Sequence, residues 1–537
     1  MNHDGPTGPG IVKMRNFFMA FLESKSSETR ESFLGFLSSA LEKKSKVTGP
    51  GLGPRIGLRS TALLYSIFVN DLKEELANRG FGVKVGEYGL LSLLLYADDI
   101  ILIADSAEEL REMLQVVSEF AYKWRFELSN EKSEVVIFNA RKQTEDEYKG
   151  EVFKMSGEKL RIVNEYKYLG CEFQNNGTWK LMSRRYKGKA CKGTADLWWA
   201  GIHHGDFSVK TSRRIWETLV KPSVTYGGEI FELSNTDLQI LESEQCHAAA
   251  SMLGVSTKSS QLAVRSEVGW YSLKAQYDRM KLRYWRKLVM MDSSRLAKHM
   301  YEMDREEVKN GKSSNRSWCR NIRRILLSYG FDYSVWMEET CAKISEKEWH
   351  ALVDNCINEA EEGKWRYGME ELSKLRTFRK LKHEYGLEEY HLVEGHNKGK
   401  RICSGLRNGS NKLRIEVGRH SGEEVEDRKC RCCSGGEVED ECHFLNECEC
   451  YTLKRAIYRV GVLDKLASID KEFNDSSLDS EAWMRLTLGD HSVISTTLVG
   501  CDSETKKSIY NSIHELSLSF IECIDDIRDK KLESMIG

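Results

Sequence analysis

The spacing of apolar residues changes several times along the first third of the chain. From Leu63 to Leu76 they recur at helical intervals, which predicts a helix. A dense apolar run then reaches Tyr96-Ala97-Asp98-Asp99, and Ile100-Ile101-Leu102-Ile103 follows. Two short apolar runs around an acidic pair predict a β-hairpin, with Leu93 to Leu95 and Ile100 to Leu102 as strands and the acids at the tip. Ser106 and Glu109 have capping-box spacing ahead of Leu110, Met113, Leu114, Val117, Ala121 and Trp124, which share one helical face. That helix is expected to pack beneath the hairpin through Leu110, Leu114 and Val117. Val135 to Phe138 and Tyr166 to Phe173 read as strands, the second closed by Asn175-Asn176-Gly177. From there to about residue 400 the pattern is mostly helical, without an internal repeat. The order helix, hairpin, helix, strands and then helices predicts the α+β class.

Composition adds two constraints. The 537 residues carry a net charge of −2, which excludes bulk positive charge as a means of holding nucleic acid and leaves local patches. There are only 5 prolines, four of them (Pro6, Pro9, Pro50, Pro54) in the first 54 residues and none after Pro222. Long helices are therefore favoured, because no ring interrupts the hydrogen-bond ladder. The longest apolar run, Leu90 to Ala104, is short and interrupted by Asp98 and Asp99, so no membrane span is expected. The N-terminus lacks an apolar signal region, and an intracellular location, cytoplasm or nucleus, is expected.

Three features carry candidate chemistry. Aspartate is ordinary in turns, but Asp98 and Asp99 stand between two apolar strands. Adjacent carboxylates there repel unless a cation neutralises them, and Mg²⁺ takes hard oxygen ligands of this kind. The second feature is Cys430, Cys433, His443 and Cys448, spaced C-x2-C-x9-H-x4-C, the donor set of a structural Zn²⁺ site. Cys432, Cys442 and Cys450 leave alternative ligand sets open. In the favoured set Cys432 is expected to point away from the metal and the other two to be spares. The third is charge. Residues 180–214 hold nine Lys/Arg against Asp196 and Asp206, among them Arg184, Arg185, Lys187, Lys189, Arg213 and Arg214. Residues 271–298 hold eight against Asp278 and Asp292, with Tyr277, Tyr284 and Trp285 interleaved. Such segments suit a phosphate backbone and stacked bases, or else a solvated helix face.

The stretch LLLYADDIILIADSAEELREMLQVVSEFAYKWRFELSNEKSEVVIF resembles the core of the reverse transcriptases of non-LTR (LINE-type) retrotransposons. By that resemblance Tyr-Ala-Asp-Asp is polymerase motif C, and the capped helix with the Asn-x-Lys segment after it is motif D. LLYSIFVNDL resembles the end of motif B, Tyr168-Leu169-Gly170 the primer grip, and LVKPSVTYGGEIFEL the thumb. LRNGSNKLRIEVGR with EVEDECHFLNECECY is similar to the zinc knuckle that often ends such elements. The resemblance runs from about Gly57 to Lys298 and implies Asp98 and Asp99 as metal-binding carboxylates and Lys132 as an aid to pyrophosphate release. In motif B, Gly57 is kept, while Ile56, Arg59 and Ala62 depart from the family pattern. Residues 1–55 contain no recognisable motif A aspartate.

The implied organisation is a leader (1–54), a partial reverse transcriptase palm (55–178), a thumb-like helical region (179–300), a helical extension (301–400), a zinc-knuckle region (401–460) and an acidic helical tail (461–537). The implied reaction is RNA-directed DNA synthesis, a nucleotidyl transfer with Mg²⁺, on RNA and DNA as template and primer. Without motif A and the fingers the chain is expected to be inactive. A non-catalytic nucleic-acid-binding remnant, or a zinc-stabilised helical interaction protein, are the other readings.

Overall fold

The structure is a computed structural model that describes residues 69–96, 99–125, 127–138, 152–202, 205–312, 317–470 and 473–535. The helix expected over Leu63–Leu76 is described from Val69 and runs through residue 78. Gly57, Asp98 and the whole expected leader lie outside the described residues. The chain forms two compact units, one of Met1–Thr178 with Met291–Ser313, the other of Trp179–Met290 with Ser314–Gly537. Among the described residues no helix is long and apolar enough to cross a membrane.

The first unit is built of short strand pairs around one helix. Strands β1 (Val83–Val85) and β2 (Gly89–Leu91) pair antiparallel, as do β3 (Leu93–Tyr96) and β4 (Asp99–Leu102). Helix α1 (Ala107–Trp124) follows, then β5 (Glu134–Val136), β6 (Lys154–Met155), β7 (Glu158–Lys159), β8 (Arg161–Val163), β9 (Glu165–Tyr168) and β10 (Cys171–Gln174). β5 pairs parallel with β8, whereas β6–β7 and β9–β10 are antiparallel.

Helix α1 starts where the sequence places it. Ser106 Oγ accepts the Glu109 N–H at 3.1 Å, a cap worth about 1 kcal/mol. The reciprocal half of the expected capping box does not form. Glu109 instead accepts the N–H groups of Asp105 (2.7 Å) and Gly82 (2.6 Å), so its carboxylate ties the helix to the loop before β1. Gly82 is required at that loop, since its φ is +117° and a Cβ would lie 2.6 Å from the Leu91 carbonyl.

The packing of α1 goes beyond the sequence expectation. Val117, with Met113, Val116 and Phe120, packs with Leu93 of the hairpin and with Val69, Leu72 and Leu76. Leu114 and Leu110, on the adjoining flank, pack with Val135, Phe153, Met155 and Leu160, and Leu102 of the hairpin touches both clusters. One broad helix face thus serves two cores, each fully buried side chain contributing roughly 1.5–3 kcal/mol. The single strand expected over Tyr166–Phe173 is a hairpin. Leu169 (φ 47°) and Gly170 (φ 80°) make its two-residue turn, matching the twist of the flanking strands.

The second unit is helical, and its helices are long where proline is missing. Lys180–Trp199 (α2) packs on Asn235–Leu253 (α3), and Leu273–Val289 (α4) on the 26-residue Glu346–Glu371 (α5). Ser345 and Glu348 start α5 with a complete capping box. Asn397–Arg407 (α6) and Thr452–Ala467 (α7) pack against the 32-residue Ser503–Ser534 (α8). Although acidic, the C-terminal segment is not peripheral. Ile513, Leu518, Ile521 and Ile524 of α8 are buried in one core with Leu406, Phe444, Val462 and Trp483, and that core also contains Cys430, Cys432 and Cys448.

Candidate functional site

The acidic hairpin begins with register. Leu93 opposes Leu102, Leu94 opposes Ile101, Leu95 opposes Ile100 and Tyr96 opposes Asp99. Asp99 is therefore the first residue of the returning strand. The β9–β10 hairpin brings two phenols to this end. Burial first, then the charges of Asp99 and Glu134, raise the Tyr166 hydroxyl above its ordinary range. Tyr168 is pushed up to about 12, by burial and then by the Asp99 carboxylate. Glu134 on β5 is itself held by Arg161 at 2.5 Å. Tyr166 and Glu134 carry no sequence motif; only the pairing of β5 with β8 and the turn into β9 bring them here. Lys132 is exposed, at the end of a single turn (Asn130–Lys132) that leads into β5.

The cysteine cluster is assembled from two chain reversals. An antiparallel bridge between Lys429 and Val438 closes the first, with the Cys430 N–H donating to the Glu437 carbonyl at 2.8 Å. Cys430 and Cys433 lie on this turn. The second is the wide helical turn His443–Glu447, after which the Cys448 N–H returns to the His443 carbonyl at 2.8 Å. One ligand atom from each of Cys430, Cys433, His443 and Cys448 lies within 4.8 Å of the others. A tetrahedral zinc with Zn–S near 2.3 Å needs edges of about 3.8 Å, so a small contraction would complete the shell.

The surroundings fit a cation. Cys433 Sγ lies 3.5 Å from His443 Nε2, and the Cys432 N–H points at Cys430 Sγ from 3.4 Å. Contacts with Cys432 and Cys448 pull the Cys430 thiol far below its ordinary range, while the contact with Cys430 pushes Cys448 up. His443 is raised, first by its hydrogen bond to Cys430. Cys432 is outside this foursome but remains close, since its thiol, that of Cys430 and the Glu439 carboxylate also gather within 4.8 Å. The other two cysteines have separate surroundings. Cys442 faces Glu447 and the Ser480 carbonyl, and Cys450 faces the Cys432 carbonyl and Lys531.

Comparison with known families bears on the first unit. Residues 19–173 match the family model of reverse transcriptase (RNA-dependent DNA polymerase). No curated protein matches the chain. The matched segment takes in the Tyr-Ala-Asp-Asp hairpin, α1 and the β9–β10 hairpin. It starts ahead of Gly57 and stops at Phe173, whereas the motif resemblance read from the sequence runs on to Lys298.

Beyond the matched segment, the two basic stretches behave differently. On α2, Lys180, Arg184 and Lys187 are exposed and share a face at i, i+4 and i+7 spacing. Arg185 is half-buried, and Lys189 donates to the Ser223 carbonyl at 3.0 Å. Arg213 is held by Glu217 at 3.0 Å, while Arg214 is exposed. The second stretch is partly taken up by ion pairs along α4, while Lys287 is exposed. Arg283 grips Asp354 of α5 with bonds of 2.8 and 2.7 Å, and Arg279 lies 3.2 Å from the same carboxylate. Tyr277 and Trp285 are buried, Trp285 against Trp349 with ring centroids 5.4 Å apart. Those charges hold two helices together.

Proposed function

We propose that this chain is a reverse-transcriptase-derived protein of the non-LTR type that binds template and primer nucleic acid and, by itself, does not polymerise. The Tyr-Ala-Asp-Asp hairpin, seated with its primer-grip-like neighbour inside a segment that matches the family, carries the reading. Asp98 and Asp99 would be the oxygen ligands for Mg²⁺, an ion that supplies charge neutralisation at the reacting phosphates when bound. Asp99 starts the returning strand, its carboxylate charge reaches Tyr168, and Lys132 leads into β5. Carboxylates from one hairpin cannot hold two ions in the required pair, and no motif A aspartate is recognisable upstream of Gly57. Purified chain is expected to give no primer extension with Mg²⁺ or Mn²⁺. Robust extension abolished by Asp98→Ala would show that residues 1–68 supply the third carboxylate and would overturn the inactive reading.

Nucleic-acid binding on this proposal uses the exposed α2 face. Affinity for single-stranded RNA should fall steeply with salt, each neutralised phosphate adding about 0.7 to the logarithmic slope. Changing Lys180, Arg184 and Lys187 together to Ala should reduce that slope by about 2. Changing Arg279 and Arg283 should leave the slope alone and weaken the α4–α5 contact instead. An unchanged slope in the α2 variant would assign that face to solvent. Zn²⁺ at Cys430, Cys433, His443 and Cys448 belongs to the same proposal as a structural ion, since four protein ligands leave no position for substrate.

A further inference from the structure

A second group of potential metal ligands lies in the helical unit, away from the cysteines. Glu389 comes from the single turn Glu389–His391, His491 from the turn His491–Ile494 and His514 from α8. One carboxylate oxygen and one nitrogen from each imidazole lie within 4.8 Å of one another. His491 Nδ1 is 4.0 Å from Glu389 Oε2. The two imidazole rings sit with centroids 4.2 Å apart, and Tyr510 stacks on His491 at 4.1 Å.

Both histidines are buried, and the Nε2 atoms of both have no hydrogen-bond partner within the protein. A buried imidazole nitrogen left without a partner costs on the order of 1–3 kcal/mol, so two side by side need a reason. Asp490 and Glu388 add negative potential at His491, and Glu389 adds its own charge. Arg407 and the neighbouring His391 face His514, but the Arg407 charge is already matched by Glu267 and Glu388.

We propose that His491, His514 and Glu389 form a binding site for a divalent ion of the zinc class. Two imidazoles and one carboxylate match the His₂Glu set of zinc centres that keep an open position. Glu389 is the adjustable member, since its side chain is 67% exposed and free to swing inward. The buried rings fix the other two vertices. Occupancy would tie α8 to the turns at 389 and 491.

Cobalt(II) titration of the full chain, stripped of metal under reducing conditions, separates this site from the cysteine cluster. Two equivalents are expected. One should show sulfur-to-cobalt charge-transfer bands from the thiolates, and the other only weaker d–d bands of a nitrogen–oxygen site. Glu389→Gln, a change at an exposed position that leaves the fold intact by circular dichroism, should weaken the second equivalent by about 10-fold or more. Glu389→Gln with His491→Gln should abolish it while the sulfur bands remain. A wild-type chain that takes up only the sulfur-ligated ion would overturn the proposal. So would a second equivalent that survives unchanged in the double variant. Neither result bears on template binding or primer extension, so failure here leaves the polymerase-derived reading standing.

Discussion

Cys430→Ser is expected to release the zinc ion proposed for the cysteine cluster and to destabilise the helical unit as a whole, well beyond the cysteine loop. Cys430, Cys432 and Cys448 are buried in the same core as α7, α8 and Trp483, so the metal site has no independent fold to lose. The connection is also polar. Arg528 of α8 binds Glu439, between the two ligand pairs, with bonds of 2.8 and 3.0 Å, and donates to the Lys412 carbonyl. An ion bound only by the folded state contributes about 4 kcal/mol when free zinc is a thousand times Kd. Loss of one thiolate should remove most of that, seen as a lower thermal midpoint and as zinc stoichiometry falling by one per chain. Cys442→Ser should change neither. Cys432→Ser is a sharper comparison, because its thiol lies beside Cys430 and Glu439 while its N–H supports Cys430 Sγ. Serine keeps the N–H, so zinc should stay. If Cys433→Ser and Cys448→Ser both retain a full equivalent of zinc, the four-ligand assignment fails.

How much of this was legible in the sequence depends on the range of the interaction. Ser106 sits one residue before an amphipathic run, and such a cap is a local event. The strand pattern around Asp99 is local too, and so is the C-x2-C spacing at Cys430. What lay beyond reach was set by tertiary partners. Glu109 has capping-box spacing, yet a loop amide from Gly82, 27 residues earlier, takes its carboxylate. The turn at Leu169-Gly170 was hidden because leucine, not asparagine, occupies a left-handed position, so Tyr166 to Phe173 read as one strand. Periodicity places Leu110, Leu114 and Val117 on one face, but it does not reveal that this face is shared between two cores. Charge counting at α4 also missed tertiary partners. Arg279 and Arg283 look like a phosphate-binding pair until Asp354, some 70 residues later in the chain, lies against them. The His491–His514 pair has no motif spacing, and only the return of α8 brings the two rings together.

Arg407→Met is expected to be the most destabilising single change outside the cysteines. Arg407 and Glu267 both have fully buried side chains, so neither charge is solvated. The guanidinium meets Glu267 at 2.8 Å, Glu388 at 2.7 Å and the Leu488 carbonyl at 2.6 Å, which joins four segments distant in sequence. Tyr390 completes the node by donating to Glu267 at 2.6 Å. Such a pair adds little compared with a well-packed apolar substitute, because both ions were stripped of water to form it. Removing one partner is different. Met in place of Arg407 leaves the Glu267 carboxylate buried with a single phenol donor, at a cost of about 3–5 kcal/mol. The shift should appear in the denaturant midpoint of the helical unit, followed by tryptophan fluorescence. Glu267→Gln with Arg407→Met should recover a large part of the loss, since the stranded charge is gone and Tyr390 can still donate to the amide oxygen. A node that served only as packing would give the opposite order, with the double variant worse than Arg407→Met alone. That order, or a single-variant loss below about 1 kcal/mol, would show that Glu267 finds another route to compensation.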